Sequence, residues 1–364
     1  MTESSKKNRI IFIDLMRAFA VLQMVQGHTI DVLLSDQYRN LSNPIFSLWF
    51  FMRGMTAPIF LFTAGNVFMY LFRLVNEPFE KNPRVKKGII RFFLLLVLGY
   101  LLRYPTPTLF YFSNVSLGQW KTFFAVDVLQ LIAFGLLFLM IAAFIAEKLK
   151  ISDYIVFTFF TLFFFILSIP FSKIDWLRIF PIALAGYFYN GSGSNFPLFP
   201  WAGYVIAGGI LGSYLAKHPN IFKTAKFSLN LTFLGAMFII LSIIGHQVEL
   251  AFNVKSDFWS NSPNLILYRM GIVLFLNSVV SFISLEVNSI PKFFILVGRN
   301  TLLIYIVHLM ILYGSAWNPG IDLLFAKSFG AWGAIGSALV MITLMGIMVY
   351  LINKFKIRNK ELVT

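Results

Sequence analysis

The sequence predicts an all-α fold, a polytopic transmembrane helix bundle of about ten spans, and three observations carry that prediction. Of the 364 residues 58% are hydrophobic, only 12% are charged, and the mean hydropathy is +0.78. Soluble domains carry about 25% charged residues, and the 43 Phe would form a very large exposed apolar patch on a globule in water. The apolar residues also gather into stretches near the ~20 residues that a helix needs to cross a bilayer.

In chain order these stretches are 10–34, 46–72, 89–103, 122–146, 154–171, 198–216, 228–246, 264–284, 293–315 and 331–353. The first is too long and too charged for a cleaved signal peptide and lacks the small-residue end of one, so it is expected to stay in the protein. Orientation follows from the basic residues. With a cytoplasmic N-terminus, 19 of the 30 Lys and Arg fall on the inner side and 7 on the outer side. The other 4, Arg17, Arg53, Arg269 and Arg299, fall inside or at the ends of apolar segments. This bias predicts both termini cytoplasmic and an even number of spans. Most of the net charge of +15 is then topology, and no nucleic-acid partner is expected. The expected organisation is a single integral membrane domain over 1–364, multi-pass, with the lipid bilayer as its first partner; a homo-oligomer is compatible with it. The longest outer loop, 172–199, is rich in Tyr, Asn, Ser and Gly, and either touches an extracytoplasmic acceptor or simply links two helices.

The absence of cysteine removes thiolate nucleophiles, disulfides and cysteine metal sites. Four histidines, His28, His218, His246 and His308, make a metal cage improbable, and no metal is expected. Phosphate-binding loops, nucleophile elbows and zinc-protease motifs are absent. Chemistry must therefore come from ionisable groups inside the apolar segments, where each costs about 2.5–3.5 kcal/mol to insert and faces protein or a wet cavity.

The first segment carries four such groups: Asp14, Arg17, His28 and Asp31. Eleven residues separate Arg17 from His28, which brings them within about 20° of one helix face and about 16 Å apart along the axis. Asp14 and Asp31 lie within about 60° of the same line, whereas Gln23 and Gln26 point elsewhere, toward neighbouring helices. Arg17 near the inner mouth can hold the phosphates of a cofactor; His28 can exchange a proton, and Asp31 can fix its tautomer. A plainer reading pairs Asp14 with Arg17 and leaves His28 to cap a helix end. The ninth segment repeats the pattern with Gly298, Arg299, Asn300, Thr301, Tyr305 and His308. Here Arg299 is a phosphate ligand or a snorkelling arginine, and His308 is a second acid/base, an acceptor-binding group or a histidine bonded to another helix. Further buried polar positions are Arg53, Asp127 with Gln130, and Arg269 with Asn277. Asp127 is expected to pair with Arg53 or Arg269, and Gly208-x-x-x-Gly212 to allow close helix packing.

Five stretches in order resemble a known group. Ile13-Asp14-Leu15-Met16-Arg17-Ala18 through His28, Ala57-Pro58-Ile59-Phe60-Leu61-Phe62-Thr63-Ala64-Gly65, Val126-Asp127-Val128-Leu129-Gln130, Phe196-Pro197-Leu198-Phe199-Pro200-Trp201-Ala202-Gly203-Tyr204, and Gly298-Arg299-Asn300-Thr301-Leu302 with Tyr305 and His308 are similar to segments of membrane acyltransferases related to heparan-α-glucosaminide N-acetyltransferase, and more distantly to the acyltransferase-3 group. The resemblance implies an enzyme that takes an acyl group from cytosolic acyl-CoA, most simply acetyl-CoA, and passes it to a hydroxyl or amine of a glycan or related small acceptor.

By the same resemblance Arg17 lies near the cofactor's phosphates and His28 is the base or a transient acyl carrier; the buried polar pattern adds Asp14, Arg53, Arg299 and Asn300 as cofactor-binding candidates and Asp31 and His308 as catalytic ones. Asp127, Gln130, Trp201, Arg269 and Tyr305 become structural or acceptor-side groups. Ala18 replaces the group's usual glycine. The large luminal N-terminal domain of the animal enzyme is missing, so heparan sulfate is not an expected acceptor, and a bacterial inner membrane is the expected location. The alternative function is a transporter or exporter of a small polar or anionic solute, with Asp127, Arg53 and Arg269 on its path; the lack of an internal repeat weighs against it.

Overall fold

The computed structural model describes residues 11–253, 258–259, 262–287 and 289–361. Ile10, where the first predicted span begins, and Lys6, Lys7, Arg9 and Lys255 of the charge bias lie outside the described residues. Among the described residues the chain is all-α, with isolated bridges but no strand. Fourteen helices follow one another: α1 (Ile11–Leu33), α2 (Pro44–Arg73), α3 (Pro83–Leu102), α4 (Leu117–Phe124), α5 (Val128–Lys148), α6 (Asp153–Lys173), α7 (Ile182–Ala185), α8 (Leu198–Lys217), α9 (Ala225–Ala251), α10 (Asn264–Glu286), α11 (Lys292–Arg299), α12 (Thr301–Tyr313), α13 (Asp322–Phe325) and α14 (Ala331–Glu361). Their starts are written in the sequence. Asn82 caps α3 ahead of Pro83, Ser116 with Gln119 and Asp127 with Gln130 form capping boxes on α4 and α5, and Thr224 caps α9.

Each of the ten apolar stretches is helical, yet the span count is lower than expected. Among the described residues seven helices, counting α4–α5 as one continuous stretch, are long and apolar enough to cross a membrane, and the pair α11 and α12 makes an eighth if it is one broken span. The two that fall short are α1 and α3. Asp14, Arg17, Gln23, Gln26, His28 and Asp31 dilute α1, and Arg84, Lys86, Lys87 and Arg91 crowd the first half of α3. Charge, not length, separates them from the rest.

The chain forms two compact units, and α2 runs through the boundary between Phe60 and Leu61. The first unit comprises residues 1–60 and 283–364 and is centred on α1, against which α11, α12 and α14 pack. Ile30 and Leu34 meet Ala334 and Ala338 of α14 in a core flanked by Phe46, Trp49 and Phe329. The last carbonyls of α1 would be orphaned by the helix end. Val32 O accepts from Lys327 N at 2.8 Å, and Leu33 O accepts from Phe329 N at 2.9 Å.

The second unit, residues 61–282, stacks α6 on α8 and packs α5 against α3, α6 and α8. A Cβ added at Gly208 would overlap the Phe62 carbonyl, and one at Gly212 the Asn66 carbonyl, so the Gly208-x-x-x-Gly212 motif does bring two backbones together. Polar pairs join α9 to α10: Ser228 Oγ to Ser281 Oγ and Thr232 Oγ1 to Ser278 Oγ, both at 2.7 Å. Such bonds are worth about 0.6 kcal/mol each in a bilayer. The 172–199 loop is ordered: Trp176 packs against Phe171, Phe180 and Phe188, and Tyr189 Oη donates to Asp175 Oδ1 at 2.8 Å.

Candidate functional site

The site is built on α1. Because that helix is unbroken from Ile11 to Leu33, the eleven residues between Arg17 and His28 keep their spacing of about 16 Å on one face. Asp14 is buried, and Arg17 and His28 are half-buried.

At the Arg17 end α1 meets the end of α11. A Cβ on Gly298 would stand 2.8 Å from Asp14 O and 3.4 Å from Ala18 N, so only a glycine lets the two backbones approach this closely. The close contact expected of a glycine at position 18 is thus supplied from the other side, with Ala18 itself buried. At Asn300 the helix breaks, and α11 and α12 diverge by 79°. Asn300 Nδ2 donates to Leu296 O at 2.8 Å, and the neighbouring Arg299 is exposed. Arg17, Arg299 and Asn300 therefore gather where the Asp14–Ala18 turn meets the break.

At the other end two histidines face each other. The rings of His28 and His308 lie 5.6 Å apart with a tilt of 46°, and Tyr305 sits 5.8 Å from His308 while stacking on Phe60 at 6.4 Å. His28 Nδ1 lies 3.1 Å from the hydroxyl of Tyr313, the last residue of α12. His308 is fully buried; its Nδ1 donates to Ile304 O at 2.7 Å, and its Nε2 has no hydrogen-bond partner. The bond to Ile304 is within its own helix, so the expected tie to another helix is not made.

One turn beyond His28, the carboxylate of Asp31 is held by two guanidiniums rather than by the imidazole. Arg53 Nη2 reaches Oδ2 at 2.5 Å and Arg39 Nη1 reaches Oδ1 at 3.2 Å. Arg39 also donates to the carbonyls of Asp31 and Leu34, closing the end of α1. The stem of Arg53 lies beside Gly27, which places Arg53 about 15 Å along the helix from Arg17. Trp49 Nε1 donates to Gln26 Oε1 at 3.0 Å, bonding Gln26 to a neighbouring helix as expected. Sequence reasoning missed Tyr313 and Arg39; the first ends an apolar run, and the second lies in the connection after α1.

The remaining candidates lie in the second unit. Asp127 pairs with Arg103 at 2.5 Å, not with Arg53 or Arg269, because Arg103 ends α3 beside the turn where Asp127 starts α5. Gln130 is buried in the same capping box. Arg269 lies over the Trp201 ring at 5.4 Å, and Trp201 in turn touches Tyr204 and Phe196. A stronger charge cluster, unforeseen in the sequence, joins buried Asp153 to Arg73 at 2.6 Å, to Lys217 at 2.9 Å and to Ser213 Oγ at 2.6 Å. Among the described residues no group of His, Asp and Glu is arranged to hold a metal ion.

Among the described residues, seven helices long and apolar enough to cross a membrane define the chain as a multi-pass membrane protein. The family model for the catalytic region of heparan-alpha-glucosaminide N-acetyltransferase matches residues 9–255, about two thirds of the chain, and the chain belongs to that family. It is thus an integral membrane protein of an N-acetyltransferase family, and family membership does not favour the solute-carrier alternative. No curated protein and no solved structure matches the chain. His308 and Tyr313 lie beyond the matched region.

Proposed function

We propose that the protein moves an acetyl group from acetyl-CoA to an amine or hydroxyl of a glycan or related small acceptor, acting as one membrane-embedded domain over 1–364 with cytoplasmic termini. The observation that carries this reading is the two-ended arrangement of α1: cationic groups at the Arg17 end, histidines about 16 Å away, the order of length of a pantetheine arm. The fit is chemical as well as metric. Arg17 and Arg299 offer permanent cations to phosphates, and Asn300 adds an amide donor.

In this reading Arg17, Arg299 and Asn300 hold the phosphates of the co-substrate, and Asp14 supports the turn that carries Arg17. Its thioester then lies at His28. His28 takes the proton of the acceptor as the new bond to the acetyl carbonyl forms; the C–S bond breaks, and the sulfur leaves as a thiolate that is then protonated. Arg53 stands at the histidine end, so we assign it with Asp31 to the acceptor side rather than to the phosphates. Tyr305 remains an acceptor-side candidate, and Asp127 and Gln130 serve structure. The test is release of CoA thiol by purified protein in detergent with amine acceptors. Thiol release is expected from the unaltered protein and not from His28→Ala; full activity of His28→Ala refutes the reading.

A further inference from the structure

Buried polar atoms almost always have partners, which makes His308 Nε2 conspicuous. Ile304 O only accepts, so the 2.7 Å bond fixes the proton of His308 on Nδ1. The opposite nitrogen is then a bare lone pair, fully buried and without a partner. Nδ1 bonds back along α12, which leaves Nε2 on the other side of the ring, and the His308 ring has the rings of His28 and Tyr305 as neighbours, with centroids 5.6 and 5.8 Å away. A lone pair left unpaired in a dry site costs about 1–3 kcal/mol, and a partner that appears during turnover would recover it.

We infer that His308 is a positioning residue for His28, its Nε2 lone pair receiving an N–H of the His28 ring once that ring has taken the acceptor's proton. The inference rests on the reading of His28 as the base. A protonated imidazole has two N–H donors and no acceptor. Beside His28 the structure sets the Tyr313 hydroxyl oxygen, 3.1 Å from Nδ1, and the His308 ring, whose centroid is 5.6 Å away and whose one lone pair is on Nε2. The proton leaves the acceptor nitrogen or oxygen for His28 Nε2, a small ring rotation turns that N–H toward His308, and the proton later passes to the departing sulfur. No other species is consumed. Asp31, the partner expected from sequence, is already held by Arg39 and Arg53. A neutral lone pair, rather than a second carboxylate, therefore supports the protonated state. Both supports come from α12, beyond the region that the family model matches.

Two measurements test this. The chain has four histidines, so ¹⁵N-histidine spectra of the full-length protein can be assigned by single substitutions; His308 is expected to show a protonated Nδ1 and an unprotonated Nε2. Kinetically, His308→Leu is expected to lower kcat about 10- to 100-fold, the worth of one hydrogen bond to a charged group, with the KM of both substrates unchanged. His308→Gln, whose Oε1 can replace the lone pair, is expected to restore much of the rate. The inference is overturned if Nε2 carries the proton, if His308→Leu keeps full kcat, or if it raises KM with no rescue by Gln. Full activity of His28→Ala would instead sink the underlying reading, so the two failures are distinct.

Discussion

Replacing Arg17 and His28 separately tests whether the two ends of α1 do different work. Each sits on the same unbroken helix, about 16 Å apart, so a single donor molecule would meet both, but with different parts of itself. An arginine bonded to phosphate contributes about 1.5–3 kcal/mol through charge-assisted hydrogen bonds. If that energy serves binding alone, Arg17→Ala raises the KM for acetyl-CoA about 10- to 150-fold and leaves kcat nearly unchanged. Loss of a general base costs about 10²–10⁴ in rate, so His28→Ala should lower kcat by that factor with little change in KM. The assay is thiol release, which the complete absence of cysteine in the chain leaves free of background. A truncated donor sharpens the comparison. S-acetyl-pantetheine has no phosphates, and its turnover should be indifferent to Arg17→Ala. Equal losses for the full and truncated donors, or a fall in kcat alone on losing Arg17, would refute the two-ended reading.

Other perturbations address stability and the loop. Asp153→Ala leaves Arg73 and Lys217 without their buried carboxylate and should destabilise the protein by about 3–5 kcal/mol, read as a lower thermal midpoint in detergent. Gly208→Leu forces a side chain into the Phe62 carbonyl and should cost about 1–3 kcal/mol or more in the same measurement, while Gly54→Ala, where a Cβ meets nothing within 4 Å, should be silent. In the 172–199 loop the Tyr189 hydroxyl, more than the backbone of Leu177 or the guanidinium of Arg178, holds the Asp175 carboxyl below its usual range. A depressed carboxylate contributes stability above its unfolded pKa and loses it as pH falls through its folded one. Acidification through that lower value should therefore expose the loop to proteolysis, and Tyr189→Phe should bring the exposure on at higher pH.

The sequence showed the face of α1 for a physical reason: in so apolar a chain four ionisable groups at helical spacing stand out, and an unbroken helix keeps their geometry. The same logic singled out the Gly298 to His308 stretch and the polar pair Asp127 and Gln130, though not their capping role. It failed where a partner arrives through a loop or a helix end. Arg39 and Arg103 lie just past helix ends and carry no local signal, yet each closes on an aspartate, because the path of the chain after α1 and after α3 depends on packing that no local pattern encodes. The span count failed differently. Charged residues that a helix can keep within protein or at its ends look, in a window of apolar neighbours, like minor interruptions of a span, and α1 and α3 were counted on that basis.

The break at Asn300 explains how two helices of unequal kind can serve one face. The 79° bend lets α11 turn aside immediately after Gly298 has touched the Asp14–Ala18 turn, while α12 continues beside α1 until His308 faces His28. The two helices are thereby fixed in register at both ends.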